Sequence, residues 1–137
     1  MATLHFEKVS EARDNFKALL DAAESGRPAV VSRDDRAIAF VSADRLRYFL
    51  AKISAVAMVV NEAGSWWIFI DGLPVSADGA TFDEALSDMV LALREYAEDW
   101  QDRLSTAPNH ADNWGIVQLV SLSTDDELCQ WLRGVSV

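Results

Sequence analysis

The segment from residue 82 to residue 104 is the clearest amphipathic helix of this 137-residue sequence, and it limits the possible folds most. It follows Thr81 and Glu84, whose spacing is typical of a capping box at a helix start. Its apolar residues recur every three or four positions and so share one side: Phe82, Leu86, Met89, Val90, Leu93, Ala97, Trp100 and Leu104. A one-sided apolar face of this length needs a covering layer, which predicts a packed core in this half of the chain.

Several apolar segments are available to cover that helix. Trp66–Ile70 combines aromatic and β-branched residues, as buried strands do, and Val75–Asp78 predicts a second, weaker strand. We expect a third strand over Trp114–Leu122. A capping-box spacing that begins at Thr124 predicts a last short helix. Residues 58–137 are therefore predicted to form a small β-β-α-β-α domain.

The first 57 residues carry a different pattern. Thr3–Lys8 alternates apolar and polar residues, which predicts a short strand. Ser10 stands where a helix N-cap belongs, and apolar residues then recur at helical spacing up to Ser25. Gly26 ends this predicted helix.

A hairpin and a second helix follow. The β-rich segments Ala29–Ser32 and Ala37–Val41 flank a four-residue polar turn. Beyond Ser42, apolar residues recur at helical spacing as far as Ala57. Asn61–Ser65 is interpreted as the junction to the second domain. The predicted fold class is thus α+β, with one αβ module in residues 1–57 and a second small domain in residues 58–137.

Charge is distributed unevenly between these two parts. The net charge is −10, yet residues 1–57 hold nine Lys and Arg against eight Asp and Glu, a balance of +1. Residues 58–137 hold three Lys and Arg against fourteen Asp and Glu, a balance of −11. This asymmetry suggests two surfaces with different partners, because an acidic surface repels phosphate and attracts a basic protein. The alternative is an acidic surface that only keeps the protein in solution.

Basic residues of the first part lie where they can meet a phosphate backbone. Arg13 is near a helix start, whose backbone N–H groups suit a phosphate. Arg33 and Arg36 bracket the hairpin turn. Two such units in a dimer could read two half-sites of DNA. The alternative is that these arginines are ordinary solvated charges.

The same segment resembles the DNA-binding half of the Phd/YefM antitoxins. The resemblance is carried, in the family's order, by Val9-Ser-Glu-Ala-Arg13, Asn15-Phe16, Leu19-Leu20, Gly26, Val30-Val-Ser-Arg33 and Ala37–Val41. It implies a homodimeric αβ module over residues 1–57 that binds operator DNA and represses its own operon. The family's two basic DNA contacts correspond to Arg13 and Arg33.

We place Ser10, Asn15 and Arg36 in the same candidate DNA site. One departure from the family is the pair Asp34-Asp35 in the hairpin turn, where many relatives carry basic or neutral residues with Gly. Carboxylates beside Arg33 weaken the attraction of phosphate.

The second half weakly resembles HicB-type antitoxin domains. The similarity rests on Gly64-Ser-Trp-Trp-Ile-Phe-Ile70, Leu73-Pro74 and Thr81-Phe-Asp-Glu-Ala-Leu86. The Gly-Cys that follows Leu-Pro in HicB proteins is missing. This resemblance therefore suggests a fold only.

The candidate toxin-binding residues lie on and near the long helix. Its polar side carries Glu95, Glu98, Asp99 and Asp102. Trp66 and Trp67 are adjacent in a strand and so point to opposite faces. One of them is therefore either covered by a second layer or available to a partner. Trp66 is taken as the apolar anchor of this surface. The alternative is that the carboxylates form only a solvated face.

Signals for catalysis are poor. The two histidines, His5 and His110, are far apart, and Cys129 is the single cysteine. The sequence has neither a Gly-rich phosphate loop nor a nucleophile-elbow pattern. We therefore expect no enzyme, no metal and no cofactor. With no disulfide, export signal or membrane-spanning run, we expect a cytoplasmic protein.

Together these features predict the antitoxin of a type II toxin–antitoxin system. It would neutralise a cognate toxin by direct binding, and an acidic face suits a basic, RNA-binding toxin such as a RelE-like ribonuclease. It would also repress its own operon. The alternative is a dimeric interaction or chaperone-like module that keeps the antitoxin fold and does not bind DNA.

Overall fold

The computed structural model describes residues 3–54 and 56–134 and has the mixed α+β fold that the sequence predicts. The chain divides into two units, Met1–Leu46 and Arg47–Val137. This division falls inside a helix, whereas the predicted boundary after Ala57 lies within the first strand of the second unit. We describe each unit by itself.

The first unit is a three-stranded sheet with a helical layer. The sheet has the order β1-β2-β3, with β1 and β2 parallel and β2 and β3 antiparallel. Its core is small and is formed by Ala12, Leu19, Ala22, Ala23, Ala29 and Val31. The elements are β1 Leu4–Phe6, α1 Val9–Asp14, α2 Phe16–Glu24, β2 Ala29–Arg33 and β3 Arg36–Phe40.

The predicted first helix is in fact two helices. Asn15 has the non-helical backbone angles φ −122° and ψ 33°, and its side-chain amide donates a hydrogen bond to the carbonyl of Glu11 at 2.9 Å. Asn competes with the helix ladder in this way, so it separates α1 from α2. The predicted N-cap is also wrong, because Lys8 holds that position and Ser10 lies in the first turn.

The second unit contains a second three-stranded sheet, of order β4-β5-β6 and antiparallel throughout. Buried Ile68, Ile70 and Ala77 of this sheet pack against α4, together with residues of α5 and α6. The elements are α3 Ala43–Ile53, β4 Ala57–Glu62, β5 Ser65–Ile70, β6 Ser76–Gly79, α4 Phe82–Asp99, a π-helix Trp100–Leu104, a 3-10 helix Ala111–Asn113, α5 Trp114–Leu122 and α6 Asp125–Leu132. Helix α3 begins in the first unit and ends in this one.

Two of the sequence predictions for this unit are wrong. Trp114–Leu122 is helix α5 and not a strand. Its short apolar run fits either structure, and periodicity does not distinguish a buried strand from a buried helix over such a length. The predicted β-β-α-β-α order is therefore replaced by three consecutive strands followed by helices.

The additional strand, β4, covers residues assigned to the second helix and the domain junction. Helix α3 ends at Ile53, Ala57 begins β4, and Ala55 lies outside the described residues. The expected junction is the hairpin turn between β4 and β5, with Ala63 at φ 53° and Gly64 at φ 80°.

Other predictions for this unit are confirmed. β5 and the start of α4 lie where the sequence places them, and Thr81 accepts a hydrogen bond from the backbone N–H of Glu84 at 3.1 Å. The capping box at Thr124 and Glu127 is present in full at the start of α6.

Candidate functional site

The parallel pairing of β1 and β2 brings part of the candidate DNA site together. Leu4 lies opposite Ala29 and Phe6 opposite Val31, so both strands end at the same edge of the sheet. The chain leaving β1 begins α1 at this edge, and the chain leaving β2 makes the hairpin turn there. The start of α1 and the tip of the β2–β3 hairpin therefore lie at one end of the first unit.

Two of the predicted arginines form a pair at the hairpin tip. Arg33 and Arg36 lie directly opposite each other at the last register position of β2 and β3, and both are exposed. Opposed residues carry their side chains on the same face of a sheet, so the two guanidinium groups share one face. The turn between them consists of Asp34, at φ 53°, and Asp35.

The predicted DNA residues on the helices differ in availability. Arg13 was predicted near a helix start, but α1 is short and Arg13 lies in its last turn. Its side chain is 77% exposed, and its nearest carboxylate is that of Asp14 at 3.9 Å. Ser10 is exposed in the first turn of α1. Asn15 is exposed as well, but its amide already donates to the Glu11 carbonyl. Arg13 is thus the side chain of α1 with the most freedom to reach a phosphate.

The first unit also presents apolar side chains that its small core does not cover. Phe16 and Leu20, one turn apart on α2, are 50% and 42% exposed. Ile38 on β3 is 47% exposed, and the Phe16 ring contacts that of Phe40 edge-on with centroids 6.5 Å apart. These residues form what we call the α2–β3 patch. The helical spacing predicts one apolar stripe that includes Phe16, Leu19 and Leu20, and of these three the structure buries Leu19 alone.

The predicted acidic surface is present on the second unit. Glu95, Glu98, Asp99 and Asp102 are exposed and stand at positions i, i+3, i+4 and i+7, which places them in one stripe. Asp99 contacts Arg103 at 3.6 Å, and exposed Leu91 lies one turn before Glu95. We call these four carboxylates the acidic stripe.

The structure does not place Trp66 on this surface. Trp66 is half-buried, and its ring stacks at a tilt on Phe82 with centroids 5.4 Å apart. Phe82 begins α4, so Glu95 lies thirteen residues further on, or ~20 Å along the helix axis. The exposed member of the pair is Trp67, because the helices cover the face of β5 that carries Trp66, Ile68 and Ile70.

Trp67 belongs to a second exposed surface, which the sequence pattern did not indicate. The ladder pairs Met58 with Phe69 and Val60 with Trp67, so these four side chains share the face of the sheet opposite to α4. We call them the outer sheet face. The clue in the sequence is the apolar run Ala57–Val60. The predicted second helix ends at its first residue, and no element is predicted for the other three.

The thiol of Cys129, on α6, is half-buried. Burial raises the pKa of the Cys129 thiol, so the thiolate is a minor species at neutral pH. Residues 3–54 and 56–134 hold no cluster of three or more His, Cys, Asp or Glu side chains that could bind a metal ion. Within these same ranges, no helix combines the length and the apolar character needed to cross a membrane.

Comparison with known proteins decides the family. Residues 1–130 match a PHD-like family described as "Antitoxin of toxin-antitoxin, RelE / RelB, TA system". The chain belongs to this antitoxin family. The antitoxin has no match among curated proteins.

A solved structure supports the same assignment. The antitoxin is similar over 96% of its length, and 96% of the other chain, to a crystal structure from Syntrophomonas wolfei subsp. wolfei, with 25% sequence identity and a TM-score of 0.77. That protein is presented as the antitoxin part of a proposed toxin/antitoxin system. Membership of the family implies a toxin as the partner of this antitoxin.

Proposed function

We propose that this antitoxin is of type II, that it neutralises its toxin by direct protein binding, and that it represses its own operon through a Phd/YefM-like first unit. The observation that carries the proposal is that the start of α1 and the hairpin tip lie at the same end of the first sheet. The chain also matches an antitoxin family over residues 1–130. Arg13, Arg33 and Arg36 are exposed at these elements. The antitoxin acts by binding and not by catalysis, in the cytoplasm where its operator lies.

Operator binding requires a homodimer in this proposal. One first unit offers a single α1 and a single hairpin tip, whereas a two-fold pair of units can contact two half-sites. The α2–β3 patch supports self-association, since its half-exposed Phe16, Leu20 and Ile38 need a cover. Dimerisation through the first unit would supply it.

The acidic stripe, which runs from α4 into the π-helix, contributes attraction for the toxin. The second unit carries five Lys and Arg against fourteen Asp and Glu, a balance of −9. A toxin that binds RNA, such as a RelE-like ribonuclease, needs a basic surface, and complementary charge accelerates the encounter of two proteins. Glu95, Glu98, Asp99 and Asp102 strengthen this field on one side of the unit.

The test of operator binding is a gel shift with the DNA upstream of the antitoxin gene. We expect the wild type to bind, and Arg13→Ala/Arg33→Ala to bind more weakly and with a flatter dependence on salt, because two phosphate contacts are lost per protomer. Lys17→Ala is a matched control, since Lys17 is an exposed cation of the same unit that pairs with Asp21 at 2.7 Å. Equal affinities of wild type and double variant would contradict the assignment of these arginines.

A dimeric interaction or chaperone-like module without DNA binding is the second candidate. The turn residues Asp34 and Asp35 favour it, because they place two carboxylates between Arg33 and Arg36. The first unit as the structure delimits it holds seven Lys and Arg against eight Asp and Glu, a balance of −1. Failure of the wild type to shift its upstream DNA at low salt would favour this candidate.

A further inference from the structure

The outer sheet face is an exposed apolar surface of the second unit. Met58 is 51% exposed, Trp67 45% and Val60 37%, and Phe69 lies half-buried among them. These four side chains form two pairs at alternate register positions of β4 and β5, which are neighbours on one face of the sheet, so they are contiguous. A cluster of exposed large apolar residues with polar neighbours marks an interaction site in a folded protein.

Acidic and polar residues border this face. Glu62 and Ser65 form the next outward-facing pair of β4 and β5, at the hairpin turn. On β6, Asp78 lies opposite Trp67, and Ser76 lies opposite Phe69. In these three strands, all of which the structure describes, the outward-facing positions hold two carboxylates and no basic residue. The face is thus an apolar centre with an acidic edge.

This charge pattern selects the kind of partner. A second copy of the chain would bring the same carboxylates, Glu62 and Asp78, and a second unit of charge −9. Like charges that face each other oppose association. A basic protein with apolar residues at the centre of its surface complements both features, and exposed tryptophans are favoured anchors in such contacts.

We propose that the cognate toxin docks on the outer sheet face, with Trp67 as the apolar anchor. This inference rests on the proposed function of direct toxin binding and gives that binding a surface. Helix α4 packs on the other face of the same sheet, so the acidic stripe lies on the far side of the unit. The stripe accelerates the encounter with a basic toxin, while the outer sheet face holds the complex together.

The experiment measures association and dissociation rates of the full-length antitoxin with the purified protein encoded by the adjoining reading frame. We expect Trp67→Ser to weaken binding roughly 30-fold, mainly through faster dissociation, as is typical of a buried anchor residue. Val60→Arg, which places a cation on the face, should weaken binding as well. Reversing the four charges of the stripe to Lys should slow association and leave dissociation nearly unchanged.

Leu91→Ser is the matched control, because Leu91 is a 63% exposed apolar residue of the same unit on α4. It should bind like the wild type. Circular dichroism checks the fold of each variant. Oxidative footprinting of the wild type needs no variant, and it should show Trp67 and Met58 protected when the partner is added.

Several results would overturn this inference. Unchanged affinity of folded Trp67→Ser and Val60→Arg would rule out the outer sheet face as the docking site, and so would an unprotected Trp67 in the complex. Either result would leave the proposal of direct toxin binding intact. If Leu91→Ser loses as much affinity for the partner as Trp67→Ser does, the contact lies on α4. If Trp67→Ser changes the sedimentation mass of the antitoxin alone and not its affinity for the partner, the face joins two copies of the chain. A wild type that does not bind the partner would refute the proposed function itself.

Discussion

At the scale of single residues, the turn of the β4–β5 hairpin holds Ala63 in a strained backbone conformation. Ala63 and Gly64 form the two-residue turn between Glu62 and Ser65, and both have positive φ angles. Turns of this kind favour Asn-Gly, since most residues with a Cβ lose roughly 1–2 kcal/mol in the left-handed region. Gly64 suits its position and Ala63 does not. The turn therefore closes because the strands on both sides pair through six register positions.

We expect Ala63→Asn to raise the free energy of unfolding by roughly 0.5–1 kcal/mol, because Asn tolerates the left-handed conformation better than Ala. Urea denaturation measures the change as a higher midpoint at constant slope. Gly64→Ala is the control in the opposite sense. An added Cβ there meets no atom within 4 Å, so its expected destabilisation comes from the φ angle alone. Equal midpoints for wild type and Ala63→Asn would show that the turn is not strained.

At the scale of elements, the start of α6 joins a helix cap to an ion pair. The Glu127 carboxylate accepts a hydrogen bond from the backbone N–H of Thr124 at 2.8 Å and contacts Arg47 at 3.0 Å. The Arg47 side chain is only 15% exposed, and its Nε has no hydrogen-bond partner among the described residues. The backbone hydrogen bond from Thr124 lowers the pKa of Glu127 below its ordinary value of 4.5, and the Thr124 hydroxyl and the charge of Arg47 add to the effect.

Because its pKa is lowered in the folded state, the contribution of Glu127 to folding stability depends on pH. Its stabilising effect is fully present above the unfolded value of 4.5 and is lost as the pH falls through the lower folded pKa. We expect Glu127→Gln, which can still accept the cap hydrogen bond, to be less stable than the wild type at neutral pH. The difference should shrink as the pH is lowered stepwise below 4.5. Thermal denaturation across this range measures it.

Glu95→Gln is the matched control, since Glu95 is an exposed carboxylate on α4. It should be about as stable as the wild type at neutral pH. A stability difference between wild type and Glu127→Gln that stays constant from neutral to acidic pH would contradict the role of the charged cap.

At the scale of the whole molecule, the first unit has little core of its own. It spans residues 1–46, and its buried apolar residues are mostly alanines, with Leu19 and Val31 as the larger members. Units of this size bury too little surface for high stability and commonly need a partner or a neighbouring domain. The half-exposed α2–β3 patch offers such a contact.

We therefore expect the antitoxin to sediment as a dimer at micromolar concentration, and Phe16→Ser/Leu20→Ser to shift it toward monomer, because each protomer loses two apolar side chains from the contact. Analytical ultracentrifugation measures the mass. Leu91→Ser, which removes an exposed leucine from the second unit, should leave the dimer unchanged. A monomeric wild type would rule out dimerisation through the first unit.

Local chemistry alone determined much of this fold. The capping residues Thr81 and Thr124, the turn between Arg33 and Arg36 and the glycine that ends α2 all act within a few residues of the backbone they affect, so the sequence indicates them directly. Gly26 shows how local and distant causes combine. Its φ of 83° is a local requirement, while the Arg45 guanidinium that donates to the Glu24 carbonyl at 3.0 Å also leaves no room for a Cβ.

Tertiary structure decided what the local pattern left ambiguous. The apolar runs Ala57–Val60 and Trp114–Leu122 fit a helix or a strand equally well in isolation. Pairing with β5 selected the strand for Ala57–Val60, and packing on α4 selected the helix for Trp114–Leu122. Likewise, the sequence shows that Trp66 and Trp67 face opposite ways, but only the position of the helices determines which of them is exposed. Side-chain exposure depends on which face other elements cover, and that information lies in contacts between residues far apart in the chain.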